Sequence, residues 1–306
     1  MNHLDMKRTI EPIIVTGMHR SGTTLVTRLL ESFNVFFGLY KDVNNEATFF
    51  LKRNEAILKF LGFDWSRMQE FSYSLDEFDR SGELTEKLIS DVNGLPIIVY
   101  LGLVDYIKFK SLKNIDYPWG WKDPRNTILL PLWLKLFPNA KILNIVRNGV
   151  DVASSLVTRE KKRTRRLSNS NKRYGIARLY NRFDYFLVAK QYQADPVVSL
   201  NDDLGISDAF QIWADYVCHF QELIKQNEIS VLTVQYEKLV SDAEDTLLEI
   251  LRYLEIEVDY DQVGKVVHSI NKSRSMAFLN NDSLVEFYHS VRNHPLMHSH
   301  GYHKIL

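Results

Sequence analysis

The stretch IVTGMHRSGTTLVTRLL, from Ile14 to Leu30, indicates a loop that binds an anionic group. An apolar strand runs into Gly17, a short loop closes at Gly22, and a helix with apolar residues at helical spacing follows. A loop of this kind directs backbone N–H groups and the positive end of the helix dipole at its ligand. The ATP-binding pattern G-x-x-x-x-G-K-S/T would place lysine at position 23, where this chain has Thr23. The pattern therefore predicts an anion site but weakens the case for a nucleoside triphosphate held with magnesium.

The same loop carries polar side chains that suit an anion. Arg20 offers a charge-assisted fork of N–H donors, and the hydroxyl groups of Ser21, Thr23 and Thr24 add further donors. Gly22 lets the backbone approach a ligand closely. We therefore expect Arg20, Ser21, Gly22, Thr23 and Thr24 to bind the anion. The alternative is an ordinary strand–helix turn built from the same residues.

The rest of the chain predicts an α/β fold. Two further buried strands are indicated by AKILNIVR at 140–147 and ISVLTVQYEKL at 229–239, and helices are predicted at 47–61, 83–92, 126–137 and 208–227. Strands that alternate with helices indicate βαβ units and a parallel sheet, with ligands at the carboxyl ends of the strands. The predicted architecture is a P-loop-like parallel sheet flanked by helices, in one domain over residues 1–306.

A second candidate anion site follows the strand that ends at residue 147. Arg147 lies at the tip of a buried strand, where core packing serves a lone arginine poorly, and Ser155 follows eight residues later in the next helix. An arginine and a hydroxyl group at the carboxyl edge of a sheet can bind an anion. The alternative is that Arg147 pairs locally with an acid such as Asp151.

The net charge of zero conceals a strongly basic segment. Between Arg159 and Arg182 there are ten basic residues and one acid, Glu160, so this segment carries +9 and the remainder −9. The stretch 159–206 is basic and then aromatic, and we predict a lid or insertion with some helix. Such a segment can attract an anionic acceptor, bind nucleic acid, or form a solvated surface. Nucleic acid is the less favoured partner.

Cysteine content and hydropathy indicate the compartment. Cys218 is the single cysteine, so no internal disulfide forms, and its place in a helical pattern predicts a buried structural thiol. The first strand begins within about a dozen residues of the N-terminus and no run of about 18 apolar residues occurs, so we expect no signal peptide and no membrane span.

We interpret the histidine-bearing segment 281–306 as a surface tail and predict no metal site. A cytoplasmic protein is expected, and its oligomeric state stays open.

The two candidate anion sites together carry a family resemblance. GMHRSGTTL and RNGVDVASS, with WGWKDP shortly before the second, resemble the sulfotransferases that use 3′-phosphoadenosine 5′-phosphosulfate (PAPS), and most closely their bacterial and carbohydrate-type branches. The resemblance covers most of residues 12–255. It implies that the first loop binds the 5′-phosphosulfate and that Arg147 and Ser155 bind the 3′-phosphate. PAPS is then the donor, no metal is required, and the acceptor is a hydroxyl group of a carbohydrate or another metabolite.

The resemblance also implies catalytic residues. Lys122 in GWKDP matches the family lysine near the leaving phosphate. The histidine base of the cytosolic small-molecule branch is absent, because its K-T-H motif reads Lys122-Asp123-Pro124 here. In the branches resembled, the base is commonly a glutamate after the first helix, and Glu46 falls at that position, although VNNEA departs from the family's G-Y-F-E. Glu55 is the competing candidate.

Further residues complete the expected donor site. Tyr236 in VQYEKLV matches a family tyrosine that can approach the adenine, or it can simply close the edge of the core. The family's C-terminal R-K-G clamp is missing, and Arg274 or Lys272 in NKSRS is a possible substitute. Two alternatives to a sulfotransferase are a P-loop kinase-like phosphotransferase and a non-catalytic anion- or nucleic-acid-binding member of the fold.

Overall fold

The computed structural model describes residues 10–63, 79, 81–168, 188, 192 and 204–306. Within them, four short strands form one parallel sheet in the order β2-β1-β3-β4. The strands are β1 (Ile13–Thr16), β2 (Gly120–Lys122), β3 (Lys141–Val146) and β4 (Val231–Gln235). The predicted α/β class with a parallel sheet is therefore confirmed. Of the basic segment and lid predicted at 159–206, most lies outside the described residues.

Helices surround this sheet. In chain order they are α1 (Thr23–Ser32), α2 (Thr48–Phe60), α3 (Glu83–Val92), α4 (Ile98–Phe109), α5 (Asn126–Leu136), α6 (Gly149–Ser168), α7 (Ile206–Gln226), α8 (Tyr236–Ser241), α9 (Ala243–Tyr253), α10 (Tyr260–His268), α11 (Asp282–Val291) and α12 (Pro295–Ser299). The helices predicted at 47–61, 83–92, 126–137 and 208–227 are confirmed as α2, α3, α5 and α7, and those predicted after Gly22 and after Arg147 are confirmed as α1 and α6. No single helix within the described residues is long and apolar enough to cross a membrane. The segments Glu83–Val92 and Leu95–Phe109, which are bent by 58° relative to each other, reach that length and apolar content only when they are taken together.

Alternate side chains along the strands pack into two separate layers of the core. On β1, Ile14 joins one buried cluster, while Ile13 and Val15 join the other. On β3, Ile142 faces the first cluster and Leu143 faces the second. Successive side chains of a strand point to opposite faces of the sheet, so each face contributes apolar side chains to its own cluster. Helices cover both faces, as expected for a buried parallel sheet.

The register of the sheet brings the strand ends together. Val15 on β1 pairs with Lys122, the last residue of β2, and Val146 on β3 pairs with Gln235, the last residue of β4. The loop after β1, the residue Arg147 after β3 and the start of α8 after β4 therefore meet at one edge. This edge is where a parallel α/β sheet binds its ligands.

The predicted strand at 229–239 is too long. The strand ends at Gln235, and Tyr236 begins the short helix α8. Strand pairing has to stop there because the neighbouring strand β3 also ends, at Val146 opposite Gln235. Tyr236 consequently lies over the edge of the sheet and not within it.

The prediction for Cys218 is wrong, and its thiol is exposed. It lies on the polar side of the amphipathic helix α7, with its Sγ 3.6 Å from a carboxylate oxygen of Glu222. The neighbours that define the buried side are Tyr216 and Phe220. A cysteine within a helical pattern is thus not buried unless its own position falls on the apolar face.

The surface-tail interpretation of residues 281–306 is also wrong. This segment forms α11 and α12, and the side chains of Tyr288, Met297 and Tyr302 are buried in the first core cluster. The Tyr288 hydroxyl donates to the Tyr302 carbonyl at 3.0 Å, which ties the end of the chain to α11. Polar histidines lie between these buried side chains in the sequence, so the segment shows no clear apolar pattern from which its packing could be predicted.

The sheet register predicts different responses of two glycines to alanine. At Gly120 an added Cβ would lie 2.1 Å from the Ile13 carbonyl oxygen, so β1 and β2 would have to separate. Gly120→Ala should lower the free energy of unfolding by about 1–3 kcal/mol or more. At Gly264, within α10, an added Cβ meets nothing within 4 Å. Gly264→Ala should therefore raise stability by up to about 1 kcal/mol, the helix-propensity difference. Urea unfolding of both variants measures this, and equal effects would contradict the register.

Candidate active site

A pocket of about 330 Å³ opens at the carboxyl edge of the sheet. Its lining contains one carboxylate, Glu46, and six cationic side chains, which are Arg20, Arg28, Lys122, Arg147, Arg159 and Arg274. A cleft lined predominantly by one sign of charge concentrates ligands of the opposite sign. The described part of the pocket therefore suits a multiply charged anion.

The loop after β1 presents a helix N-terminus to this pocket. Gly17 and Gly22 have φ values of 129° and 104°, which favour glycine. Gly22 caps α1, whose first turn has no acidic residue, so the positive end of the helix dipole is not compensated locally. Thr23 and Thr24 also line the pocket, and the Thr24 hydroxyl donates to the Asn44 carbonyl at 2.9 Å. The predicted anion loop thus has the geometry that such a site requires.

Ser21 departs from the expected arrangement. Its side chain lines a neighbouring cavity of about 200 Å³ and is absent from the lining of the main pocket. The Oγ atom is buried and has no hydrogen-bond partner among the described residues. The backbone N–H of Ser21 donates to the Met18 carbonyl at 3.1 Å, which closes the loop. The loop conformation therefore brings Arg20, Gly22, Thr23 and Thr24 to the pocket and leaves the Ser21 hydroxyl behind them.

Arg147 is held by several groups at the tip of β3. Its Nη2 donates to Asp151 Oδ2 at 2.8 Å and to the Arg274 carbonyl, and its Nη1 donates to the Arg20 carbonyl at 3.2 Å. The guanidinium lies 4.6 Å from the centroid of the Tyr236 ring. Its Nε is buried without a hydrogen-bond partner among the described residues. Arg147 thus pairs with Asp151, as the local alternative predicted, and its Nε keeps an unused N–H donor.

Tyr236 connects the two predicted anion sites. An added Cβ at Gly22 would lie 2.3 Å from Cδ2 of Tyr236, so the ring packs directly on the loop backbone. The same ring contacts the Arg147 guanidinium. Arg20 provides a second connection, because its Nε donates to Ser155 Oγ at 2.8 Å. Ser155 itself is not among the pocket-lining residues and contacts the site through Arg20.

Crowding of positive charge affects Arg20. Burial lowers the pKa of Arg20, and the charges of Arg159, Arg274 and Arg147 lower it further. Each of these interactions opposes the charged form of the guanidinium. An anion bound at the loop would reverse that balance, so the free site is arranged for a negatively charged ligand.

Lys122 and Glu46 form a buried ion pair at the other end of the pocket. Lys122 Nζ lies 3.1 Å from Glu46 Oε1 and donates to the Asn44 carbonyl at 2.6 Å. Arg125 Nη1 lies 3.6 Å from Glu46 Oε2. The side chains of Lys122 and Glu46 are 1% and 6% exposed, so little solvent screens the pair. The two residues proposed from the sequence for catalysis are therefore adjacent.

The environment of Glu46 adjusts its basicity. Burial raises the pKa of Glu46 to about 7, and the negative charges of Asp123 and Asp42 also raise it, while Lys122 and Arg125 lower it. A carboxylate whose pKa is close to neutral can accept a proton from a reacting hydroxyl group at physiological pH. A raised pKa and a place in the pocket are the two properties that the general-base prediction for Glu46 requires.

Glu55, the competing candidate, has a different environment. Its Oε1 accepts from Arg125 Nη2 at 2.8 Å, and Glu55 is not among the pocket-lining residues. Asp123 accepts from the Arg125 backbone N–H at 2.9 Å and from Asn54 Nδ2 at 2.9 Å. Glu55 therefore belongs to the network that fixes Arg125, and Asp123 and Arg125 shape the turn after β2.

Several pocket residues were not identified from the sequence. His19, Asn44, Arg159 and Asn271 all line the pocket. Burial lowers the pKa of His19 well below its usual value, and the charge of Arg159 lowers it further, so this imidazole is neutral at physiological pH. Arg159 could have been found, because it lies four residues after Ser155 in α6 and so shares its helix face. Of the two candidates for a C-terminal clamp, Arg274 lines the pocket and Lys272 does not.

Comparison with known proteins identifies the family. Residues 12–260 match the family model described as the sulfotransferase family. The chain belongs to the sulfotransferase family. An uncharacterized protein of Aquifex aeolicus (strain VF5) is 31% identical over 144 residues, which is 47% of this chain and 16% of that relative. The chain thus matches only a small part of that protein's length.

Two solved structures are similar to this sulfotransferase family member at low identity. The sulfotransferase domain from the curacin biosynthetic pathway has a TM-score of 0.42 and 16% identity, covering 87% of this chain and 80% of that one. The sulfotransferase domain from the Synechococcus PCC 7002 olefin synthase has a TM-score of 0.40 and 19% identity, with coverage of 87% and 80%.

The environment of Glu46 predicts its titration. In the free protein its carboxyl group should titrate near pH 7 and not near the ordinary 4.5, as followed by carbon NMR of labelled glutamate. Asp42→Asn should lower this midpoint, because a negative charge is removed while the acceptor oxygen for the Glu46 N–H is retained. Glu31→Gln is the control, since Glu31 pairs with Lys41. An ordinary midpoint in the wild type would contradict the assignment of Glu46 as a neutral-pH base.

Proposed function

We propose that this protein transfers the sulfuryl group of PAPS to a hydroxyl group of a carbohydrate or another metabolite and releases adenosine 3′,5′-bisphosphate. One observation carries the proposal: a single cationic pocket joins the Gly22 loop and Arg147 to the buried Lys122–Glu46 pair. Membership of the sulfotransferase family supports the reaction class. The identity of the donor and the class of the acceptor go beyond family membership and belong to the proposal.

The two halves of the pocket suit the two anionic ends of the proposed donor. The loop, Arg20 and the N-terminus of α1 suit the 5′-phosphosulfate, because helix N-termini bind such groups through backbone N–H donors. Arg147, with a buried Nε lacking a partner among the described residues, suits the 3′-phosphate. Tyr236 lines the pocket between them and packs on the Gly22 backbone and the Arg147 guanidinium. The residues present therefore fit the donor.

The proposed reaction is an in-line displacement at sulfur. The acceptor hydroxyl oxygen forms the new S–O bond as Glu46 takes its proton, and the bond from sulfur to the bridging oxygen of the donor breaks. The bond electrons remain on the 5′-phosphate of the leaving nucleotide. Lys122 stabilises the charge that develops on the bridging oxygen. This chemistry does not require a metal ion to hold the donor.

A kinase-like alternative is less well supported. It would use a lysine where this chain has Thr23, and an acid free to hold magnesium at a strand end. Asp123 follows β2, but its oxygens accept from Asn54 and Arg125. A non-catalytic anion-binding protein is the other alternative, and the turnover experiment below separates it from an enzyme.

Donor recognition is tested first by binding. Isothermal titration should give about tenfold or greater preference for adenosine 3′,5′-bisphosphate over ADP or ATP, equivalent to 1.4 kcal/mol or more. Arg147→Ala should remove this preference, because charge-assisted hydrogen bonds contribute roughly 1.5–3 kcal/mol. Arg252→Ala, on the exposed side of α9, serves as the control. Equal affinity for nucleotides with and without a 3′-phosphate in the wild type would overturn PAPS as the donor.

Catalytic roles are tested by turnover with labelled PAPS and a screen of hydroxyl acceptors. Glu46→Gln and Lys122→Met should each lower kcat by about 10²-fold or more. Affinity for adenosine 3′,5′-bisphosphate should change by less than about threefold, since both residues act mainly in the transition state. The acidic limb of the wild-type profile should have its midpoint near pH 7, because Glu46 must be deprotonated to act. Glu55→Gln is the comparison: if it abolishes turnover while Glu46→Gln does not, the base is Glu55.

A further inference from the structure

The C-terminal segment beyond the matched family region contacts the Arg147 half of the pocket at several points. The family match ends at residue 260. Beyond it, the Arg274 carbonyl accepts from Arg147 Nη2, and the backbone N–H groups of Ala277 and Phe278 donate to Asp151 at 3.3 and 2.9 Å. Asp151 is the carboxylate that pairs with Arg147. Residues outside the family match thus hold both Arg147 and its counter-ion.

A second connection runs through the interior to Tyr302. Glu237, the second residue of α8, is buried and accepts from the Tyr302 hydroxyl through Oε2 at 2.8 Å. Its other oxygen, Oε1, accepts from the Asn148 backbone N–H at 3.0 Å. Glu237 does not line the pocket. Its two oxygens therefore connect the C-terminal segment to the residue that follows Arg147.

These contacts act on a single peptide group. The carbonyl of Arg147 and the N–H of Asn148 belong to one planar peptide unit. Trp213 Nε1 donates to that carbonyl at 3.1 Å, and Glu237 accepts from that N–H. The peptide unit is therefore fixed from both sides, and the direction in which the Arg147 side chain leaves the backbone depends on it.

We propose that Glu237 and Tyr302 are positioning residues for Arg147, so that the C-terminal segment sets the preference of the pocket for a nucleotide with a 3′-phosphate. The proposal rests on the proposed PAPS-dependent function. Removing the Tyr302 hydroxyl leaves Glu237 Oε2 buried without that donor, and the carboxylate is then free to turn away from Asn148. Arg147 keeps its charge but loses its fixed direction, so recognition of the 3′-phosphate weakens while binding of the 5′ end does not.

The chain supplies a matched control. Tyr288 is also a buried tyrosine of the C-terminal segment, and its hydroxyl donates to the Tyr302 carbonyl at 3.0 Å and accepts from the Ile305 N–H at 3.1 Å. Tyr288→Phe removes hydrogen bonds from the same segment without removing the donor to Glu237. It therefore reports general loosening of the segment, and Tyr302→Phe reports the specific connection.

The experiment measures the affinities of the full chain for adenosine 3′,5′-bisphosphate and for 5′-AMP, together with Tm, in wild type and variants. Tyr302→Phe should lower the ratio of the two affinities by about fivefold, as expected for coupling through an intervening residue. Only the affinity for adenosine 3′,5′-bisphosphate should fall, and the affinity for 5′-AMP should not change. Tyr288→Phe should leave the ratio within about twofold of wild type even where Tm falls.

A second pair of variants covers the case in which Tyr302→Phe does not fold. Glu237→Ala should lose the preference, whereas Glu237→Gln should keep most of it, because glutamine retains an oxygen for the Asn148 N–H and an amide that can donate to the Tyr302 oxygen. An unchanged ratio in Tyr302→Phe or Glu237→Ala overturns the positioning role, and so does an equal loss in Tyr288→Phe. A wild type without preference for the bisphosphate overturns the proposed function itself, and the positioning role with it.

Discussion

Burying arginine and lysine side chains at the carboxyl edge of a sheet costs solvation free energy, and much of the surrounding structure offsets that cost. Arg147 is paired with Asp151 at 2.8 Å, and Lys122 with Glu46 at 3.1 Å. Arg20 differs, because burial lowers its pKa and the charges of three neighbouring arginines lower it further. The protein therefore compensates the positive charge of the pocket only in part, which is the reason for proposing an anionic ligand.

The features that sequence reasoning predicted are those that depend on local spacing. Gly17 and Gly22 bracket a loop whose conformation is set by its own backbone, so the candidate anion-binding loop could be found from one stretch. Arg147 could be placed because a polar residue that ends a buried strand must lie at the edge of the sheet. Glu46 and Lys122 came from family resemblance, and the ion pair between them joins residues that are 76 positions apart. Spacing alone does not predict such a contact.

The features that sequence reasoning missed are set by tertiary contacts. The direction of the Ser21 side chain follows from how the loop folds back on Met18, not from the presence of a hydroxyl group. The start of α8 at Tyr236 is decided by where the partner strand ends. The C-terminal segment has few strongly periodic apolar residues, yet Tyr288 and Tyr302 pack into the core. In each case the deciding neighbour is distant in sequence, so local propensity does not reveal the outcome.

On the proposed mechanism, the Lys122–Glu46 pair also times the movement of charge. An ammonium group has three N–H donors, and two of those of Lys122 are used by the Asn44 carbonyl and by Glu46. One donor is left for the bridging oxygen of the donor nucleotide. When Glu46 accepts the proton of the acceptor, its carboxyl group becomes neutral and its attraction for Lys122 weakens. That change coincides with the build-up of negative charge on the bridging oxygen, to which the ammonium charge is then directed. A base and a cation held in contact can thus act together, with proton transfer at one releasing the charge of the other.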